Sequence, residues 1–382
     1  MENVTHSLIG AAFAELALPP SASTAQRRTF FAAGVIAANL PDADLLYTRI
    51  TAPPIGYLLH HRGHTHTLVG LVGMAALIGL VCLTPRIRQI LQGVHVRFFG
   101  LIAVSLLSHI VLDSWNSYGV HPFYPFDSKW YYGDVIFIVE PWFWLFLGVA
   151  ATANAQGKRS RIALGALFAV AAFMFAWVGM VPVVAIVALV IVAAAMAWLV
   201  RGWTPRVRSS AALAAVAMFV MMMFGLKHVV RDRMVASITP SLRGELVDVI
   251  LSPQAANPVC WTAVTIERDD KAGEYVLSRG VASLTPMVSC GMKQGRQVEW
   301  TETLRQSLVT LRALDRADCH VAAWLQFGRA PAFSTDAIWD YRYSGVPTGN
   351  FTLMELTPRD RACPEHLTNW GKPRMDLLLP GS

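Results

Sequence analysis

Residues 162–200 read IALGALFAVAAFMFAWVGMVPVVAIVALVIVAAAMAWLV, without one charged side chain. A membrane-spanning helix needs about 20 consecutive apolar residues. The stretch is therefore long enough for two helices, at 162–180 and 181–200, joined by a tight turn before Pro182. No Asp or Glu occurs between Pro141 and Lys227. This pattern predicts a pair of membrane helices in the middle of the chain.

The composition of the whole chain also indicates a membrane protein. Of 382 residues, 54% are hydrophobic and only 15% are charged, which argues against an ordinary soluble protein and against a disordered chain. The formal net charge is +7. The arginines nevertheless lie in short clusters between apolar segments, which is typical of the cytoplasmic loops of membrane proteins. We therefore expect no nucleic-acid partner.

Further apolar segments lie on both sides of the central pair, and the two nearest the N-terminus are short. The short segments form either thin spans or a re-entrant hairpin. The predicted fold is a polytopic α-helical membrane protein with about eight spans. The predicted spans are 4–18, 29–40, 68–84, 98–112, 136–155, 162–180, 181–200 and 211–226.

The positions of lysine and arginine predict the orientation. Basic loops remain in the cytoplasm, and the basic connections of this chain are 27–28, 86–97, 158–161 and 201–208. With these four loops inside, the chain is a multi-pass protein of the bacterial inner membrane and its C-terminal region is periplasmic. Only Lys227, Arg231 and Arg233, at the exit of the last span, favour the inverted topology.

The last part of the chain has the composition of a soluble domain. Its β-branched and aromatic segments predict strands at 259–267, 274–277, 320–327, 337–343 and 350–356, with a helix around 298–314, and thus a small α+β domain. Four cysteines lie here: Cys260, Cys290, Cys319 and Cys363. In an extracytoplasmic domain they favour two disulfides, with three possible pairings, although four reduced buried cysteines are the alternative.

We divide the chain into three regions on these grounds. Residues 1–155 form a membrane domain that carries the candidate site, residues 156–230 add further membrane helices, and residues 231–382 form the α+β domain. The first region holds all eight acidic residues of the first 230 positions. Ionisable groups at membrane depth cost several kcal/mol, so those present mark candidate functional sites.

Several of these ionisable residues have the spacing of metal ligands. His109 and Asp113 are four apart, so a helix presents both on one face. Asp42 and Asp44 follow Pro41, and the run 60–66 (HHRGHTH) precedes another apolar segment. Imidazole and carboxylate ligands suit zinc, manganese or iron. A hydrogen-bonded pair, a turn or a polar collar would explain each motif alone, but together they predict a metal centre.

The ordered motifs resemble the YdjM-type inner-membrane proteins, a family of metal-dependent hydrolases, and are distantly similar to the N-terminal motifs of zinc-dependent phospholipase C. The similarity covers roughly residues 1–146. The matching segments are Thr5-His6-x-x-x-Gly10, Leu40-Pro41-Asp42-x-Asp44, His61-Arg62-Gly63-x-Thr65-His66 and Ser108-His109-x-x-x-Asp113. The resemblance implies one or two divalent ions, zinc before manganese, bound by His6, Asp42, Asp44, His66, His109 and Asp113. Glu140 stands where we expect an aspartate in relatives and is a further candidate ligand.

This ligand set predicts hydrolysis of a phosphoester or similar bond in a membrane lipid or lipid-linked substrate, at the outer face of the inner membrane. A bound divalent ion would lower the pKa of a bound water toward ~7. Arg62 would stabilise phosphate charge through its planar guanidinium. His61 or His64 would protonate the leaving group. Asp44 would either bridge two ions or orient a ligand histidine.

Two other classes of function remain open at this stage. A metal- or proton-linked transporter or binding protein would use the same His and Asp residues as a relay. A membrane scaffold would use them only to hold helices together, while its soluble domain binds a protein partner that the sequence does not identify. Bound metal distinguishes an enzyme from a scaffold, and accumulation of substrate in vesicles identifies a transporter.

Overall fold

The computed structural model describes residues 1–288, 290–293, 295–356 and 362–379. The chain is helical as far as residue 238 and then forms two antiparallel sheets. The helices before the sheets are α1 (Asn3–Ala17), α2 (Thr24–Asn39), α3 (Ile55–His60), α4 (Leu68–Cys82), α5 (Pro85–Ile90), α6 (His95–Ser114), α7 (Pro141–Asn154), α8 (Lys158–Trp177), α9 (Val183–Leu199) and α10 (Pro205–Ile238).

Fewer helices can cross a membrane than the sequence predicts. Within the described residues, three are long and apolar enough (α6, α8 and α10), and a fourth span results if the pair Ile55–His66 and Leu68–Cys82, bent by 66°, is counted as one. The prediction of about eight spans is therefore not supported. Helices α1, α2 and α7 have 15, 16 and 14 residues. At 1.5 Å per residue they measure about 21–24 Å, less than the ~30 Å hydrocarbon core.

Helices α1 and α2 cross at a pair of glycines. A Cβ added to Gly10 would lie 2.2 Å from the carbonyl oxygen of Gly34, and one added to Gly34 would lie 2.4 Å from that of Gly10. His6 lies one turn before Gly10, and Ala38 one turn after Gly34, so the crossing fixes the relative positions of both. The glycine that accompanies His6 in its motif therefore has a packing role.

We expect Gly10→Ala to destabilise the protein by about 1–3 kcal/mol or more, because the new methyl group must separate two backbones. The matched control is Gly100→Ala in α6, where a Cβ meets no atom within 4 Å. That variant should be neutral or slightly stabilising, since alanine favours helix more than glycine. Thermal unfolding in detergent measures both. Equal melting temperatures for the two variants would contradict the close crossing.

Helix α10 connects the membrane helices to the C-terminal domain. Its 34 residues span about 51 Å, well beyond the hydrocarbon thickness. Val230 and Met234 are fully buried, and both belong to an apolar cluster that includes Trp261 and Ala263 of the following sheet. The helix thus extends through the predicted boundary at residue 230 and becomes part of the core of the next domain.

The C-terminal domain contains a four-stranded antiparallel sheet in the order β1-β2-β3-β4 and a three-stranded sheet in the order β5-β6-β7. Its strands are β1 (Glu245–Gln254), β2 (Asn257–Asp269), β3 (Glu274–Ser283), β4 (Val298–Ser307), β5 (Pro331–Phe333), β6 (Ala337–Asp340) and β7 (Met354–Glu355). Its helices are α11 (Leu308–Ala317), α12 (Cys319–Trp324) and α13 (Met375–Leu378). The predicted α+β class agrees with this architecture.

Three predicted elements of this domain are wrong. The segment 350–356 is mostly turn and coil, with strand only at Met354–Glu355. The segment 320–327 is mostly helix α12 rather than a strand, because the Asp318 side chain accepts hydrogen bonds from the backbone N–H groups of His320 and Val321 and caps a helix. The segment 298–314 is half strand: β4 pairs with β3 as far as Ser307, whose side chain then caps α11.

Disulfides join Cys260 to Cys290 and Cys319 to Cys363.

The C-terminal domain packs against the helical part. Leu58 and Leu59 of α3 are fully buried in one cluster with Trp324 and Phe327. The Trp370 indole N–H donates to the backbone oxygen of Leu59 at 2.8 Å. The domain therefore contacts the helix that immediately precedes the predicted catalytic run 61–66.

Candidate metal centre

Four side chains from three segments bring their ligand atoms together. Asp42, His66, His109 and Asp113 each offer one ligand atom, and these atoms all lie within 4.8 Å of one another. His66 Nε2 lies 3.5 Å from Asp42 Oδ1, 3.4 Å from Asp113 Oδ2 and 3.0 Å from His109 Nε2. His109 Nε2 lies 3.4 Å and 3.7 Å from the same two carboxylate oxygens.

These separations match the edges of a small coordination polyhedron. Zinc binds nitrogen and oxygen at about 2.0–2.2 Å in a tetrahedron, which places neighbouring ligand atoms about 3.4 Å apart. The measured separations of 3.0–3.7 Å bracket that value. The four side chains are at most 9% exposed. The donor set and its spacing therefore fit a buried divalent ion.

Hydrogen bonds fix which nitrogen of each histidine faces the cluster. His109 Nδ1 lies 2.6 Å from the backbone oxygen of Ala38, and His66 Nδ1 lies 3.2 Å from Asp44 Oδ2. Both partners accept, so each Nδ1 carries a hydrogen, and in its neutral form each ring presents a lone pair at Nε2. Two lone pairs 3.0 Å apart repel each other unless a cation or a proton lies between them. Either a bound cation or a proton shared by the two rings would satisfy this arrangement.

The charge balance of the cluster supports the same conclusion. Three buried carboxylates, those of Asp42, Asp44 and Asp113, lie together. The Arg62 Nε lies 2.9 Å from Asp113 Oδ2, and the Met1 amino group also contacts Asp113. Carboxylates outnumber these positive groups, and buried charge requires compensation. A bound cation, or a proton on His66 beside these carboxylates, would supply it.

His6 is a further imidazole beside the cluster. Its ring stacks on His109 with 3.8 Å between centroids, and its Nε2 lies 3.4 Å from Asp113 Oδ1. Among the described residues, neither ring nitrogen of His6 has a hydrogen-bond partner, although the side chain is completely buried. Buried polar atoms are rarely left without a partner. His6 lies beside the cluster but is not a member of the four-residue group whose ligand atoms converge, so its role as a ligand stays a prediction.

Asp44 acts on its neighbours through hydrogen bonds. It accepts from the Arg62 backbone N–H at 2.8 Å, from Thr65 Oγ1 at 2.9 Å and from His61 Nδ1 at 3.1 Å, in addition to the His66 contact. Burial opposes ionisation, but the hydrogen bonds from His61 and His66 hold the pKa of Asp44 below its usual range. These contacts fit the predicted orientation of the histidines. Asp44 also forms a second group of converging ligand atoms with Asp42 and His61, so the predicted bridging role stays open.

Three other predicted site residues, Arg62, His64 and Glu140, differ in what their side chains contact. Arg62 is buried, donates from Nη1 to Asn116 Oδ1 at 2.9 Å and lies over the Tyr118 ring. The His64 ring contacts Tyr124 and Trp370 rather than the carboxylates. Glu140 caps α7 by accepting from the Trp142 backbone N–H. Among the described residues, Glu140 belongs to none of the groups whose ligand atoms converge.

Three contacts of the site were not predicted. Asn3 donates to Asp42 Oδ2 at 3.0 Å, Thr65 donates to Asp44, and Asn116 accepts from Arg62. Spacing could have indicated two of them, because Asn3 precedes His6 by three residues and Asn116 follows Asp113 by three. Thr65 lies inside the motif that contains His61 and His66.

Residues 1–183 match the family model of the YdjM inner membrane protein, which covers just under half of the chain and contains every residue of the cluster. The resemblance to the YdjM-type inner-membrane proteins is confirmed over this range. No curated protein and no solved structure matches the chain.

Proposed function

We propose that this protein is a metal-dependent hydrolase of the bacterial inner membrane that cleaves a phosphoester or similar bond in a lipid-linked substrate. The observation that supports a metal enzyme most strongly is the convergence of His66 Nε2, His109 Nε2 and two carboxylates. A divalent ion held there would supply Lewis acidity and lower the pKa of a bound water. The family's description as an inner membrane protein supports the location.

The surroundings of the cluster support a lipid substrate. Asp42 and Asp44 belong to a short 3-10 helix, Leu40–Leu46, whose last two leucines are 44% and 88% exposed. Ile50, in the next turn, is 53% exposed. Exposed apolar side chains this close to buried ligands mark a surface that contacts lipid. We infer that the substrate reaches the site along this edge, with its apolar part in the bilayer.

His61 is the residue we assign to proton transfer. Its Nδ1 is held by Asp44, so Nε2 is left to accept or donate a proton, as in Asp–His pairs of other hydrolases. In the proposed step the oxygen of water forms the new bond to phosphorus and the ester P–O bond breaks. His61 takes the proton released by water and returns a proton to the leaving oxygen. His64, which packs on Trp370, is the less suitable donor.

Arg62 serves in this proposal as a positioning residue. Its guanidinium is only 1% exposed and contacts Asp113 and Asn116. It is therefore already paired with a candidate ligand and holds that carboxylate in place. Its backbone N–H, which donates to Asp44, links the same segment to the second carboxylate.

Metal content tests the proposal first. We expect about one zinc or manganese ion per chain in detergent-purified protein, and loss of the ion in His66→Ala/His109→Ala, because the double variant removes both imidazole ligands of the four-residue cluster. The matched control is His95→Ala, an exposed histidine of the same helix as His109. Elemental analysis of the three proteins provides the measurement. A wild-type protein that binds no stoichiometric metal after reconstitution would refute the hydrolase proposal.

Activity is then measured in mixed micelles that contain a phospholipid monoester or diester, with release of phosphate or phosphorylated headgroup as the readout. We expect hydrolysis to require the metal, to be lost in the double variant and to be slower on glycerol phosphate, which lacks acyl chains. Bound metal without hydrolysis, combined with accumulation of an ion in vesicles, would favour the transport function instead.

A further inference from the structure

A large apolar cavity lies between α7, α8 and α9, away from the metal cluster. Its volume is about 770 Å³, within the range of small-molecule sites. Small side chains create it: α8 contributes Ala171 and Ala172, and α9 contributes Ala193, Ala194 and Ala197. The apolar window of α8 is 0% buried inside the protein. Two of the three helices that form the cavity, α8 and α9, contain no buried residue and otherwise face the bilayer.

The two ends of the cavity differ in polarity. At one end Val181 is buried against Ala255 and Ala256 of the C-terminal domain, which closes it with apolar groups. At the other end, Arg161, Arg201 and Arg208 contribute to the lining. Cationic groups at a single end define the direction in which an amphipathic ligand would lie.

Two of the three arginines are available to a ligand. Arg208 donates to the backbone oxygens of Val200, Arg201 and Ala153, so its role is to cap the ends of α7 and α9. Among the described residues, the Arg161 side chain makes one hydrogen bond, from Nε to the backbone oxygen of Ala155. In the described part of the chain, no hydrogen bond or ion pair engages the Arg201 guanidinium. No Asp or Glu lies between residues 141 and 227 to neutralise them.

We propose that this cavity binds an anionic phospholipid, with one acyl chain between α7, α8 and α9 and the phosphate at Arg161 and Arg201. Charge complementarity identifies the headgroup: an arginine guanidinium binds phosphate by paired hydrogen bonds. The apolar lining fits the chain. This site is separate from the metal cluster, and the proposal does not depend on the hydrolase function.

The test uses the full chain, delipidated in detergent and incubated with phosphatidylglycerol or phosphatidylcholine of identical acyl chains, with bound lipid counted by native mass spectrometry. We expect phosphatidylglycerol to bind about 25-fold more tightly than phosphatidylcholine, because each of the two arginines contributes a factor of about 5. Arg161→Gln/Arg201→Gln should abolish that preference. Arg86→Gln/Arg88→Gln removes two charges outside the cavity and should preserve it.

A second pair of variants tests the cavity itself. Ala194→Phe fills it and should weaken both lipids, whereas Ala195→Phe, on an exposed position outside the lining, should weaken neither. Equal affinity for the two lipids in the wild type would overturn the proposal. A second result would also overturn it: inorganic phosphate binds as tightly as phosphatidylglycerol, and Ala194→Phe does not weaken the binding of phosphate. This result would show an anion site that does not bind a lipid chain.

Discussion

Asp113→Asn is expected to remove the metal and to destabilise the protein by about 3–5 kcal/mol, the usual result of breaking a buried ion pair from one side. Asp113 is completely buried and lies next to His6, His66 and the Arg62 guanidinium. The asparagine leaves the Arg62 charge without a carboxylate partner and binds metal poorly. Elemental analysis and thermal unfolding of the same preparation measure the two effects.

A double variant separates them. In Arg62→Met/Asp113→Asn both charges are gone, so we expect most of the lost stability to return while the metal site stays empty. Asp127→Asn is the control, because Asp127 contacts Lys129 and Tyr131 in a loop outside the cluster and should keep the metal. Wild-type metal content in Asp113→Asn would exclude this carboxylate as a ligand.

The cluster could be predicted because its residues are linked by short-range rules. His109 and Asp113 share a helix face at a spacing of four, and Pro41 ends α2 just before Asp42. What the sequence does not contain is the glycine crossing of α1 and α2, which places His6 on the His109 ring. Glu140 shows the converse, since an acid close in sequence to the site is used to cap a helix.

The number of spans was overestimated for a physical reason. A hydropathy profile detects apolar residues but does not tell whether they face lipid or protein. Helices α1 and α2 are apolar partly because they pack against each other and against neighbouring helices. Phe30, Ala37 and Ala38 of α2, for example, are completely buried. Length rather than hydropathy distinguishes such helices from spans. In the C-terminal domain, the side chains of Ser307 and Asp318 cap helices α11 and α12. Residue propensities alone do not predict where these two helices begin.

Arg329→Ala is expected to loosen the C-terminal domain from the helical part. Arg329 is 7% exposed and joins Asp134, in the loop before α7, to Asp248 of β1: Nη1 donates to Asp134 at 3.0 Å and Nε to Asp248 at 2.9 Å. Its guanidinium also lies 4.1 Å from the Tyr132 ring centroid. Removing it leaves the buried Asp134 carboxylate without its arginine partner, which costs about 3–5 kcal/mol.

Thermal unfolding and limited proteolysis provide the measurements, with faster release of a C-terminal fragment expected for Arg329→Ala. Arg305→Ala is the control, because Arg305 and Glu274 form a surface pair that is 48% and 41% exposed and is worth about 0–1 kcal/mol. A melting temperature for Arg329→Ala equal to that of the control would show that the two domains do not depend on this arginine.

The defect in Arg329→Ala should also depend on pH. Burial raises the pKa of Asp134, and the positive charge of Arg329 partly offsets that rise. Without the guanidinium the pKa of Asp134 rises further, so the folded protein takes up a proton that an unfolded chain, with an aspartate pKa of about 3.9, does not. Asp248 differs, because Arg374 at 3.0 Å still pairs with it in the variant.

Proton uptake by the folded state means that the stability lost by Arg329→Ala is smaller at about pH 5 than at about pH 8. A loss that is the same at both pH values would show that Asp134 is not the charge left uncompensated.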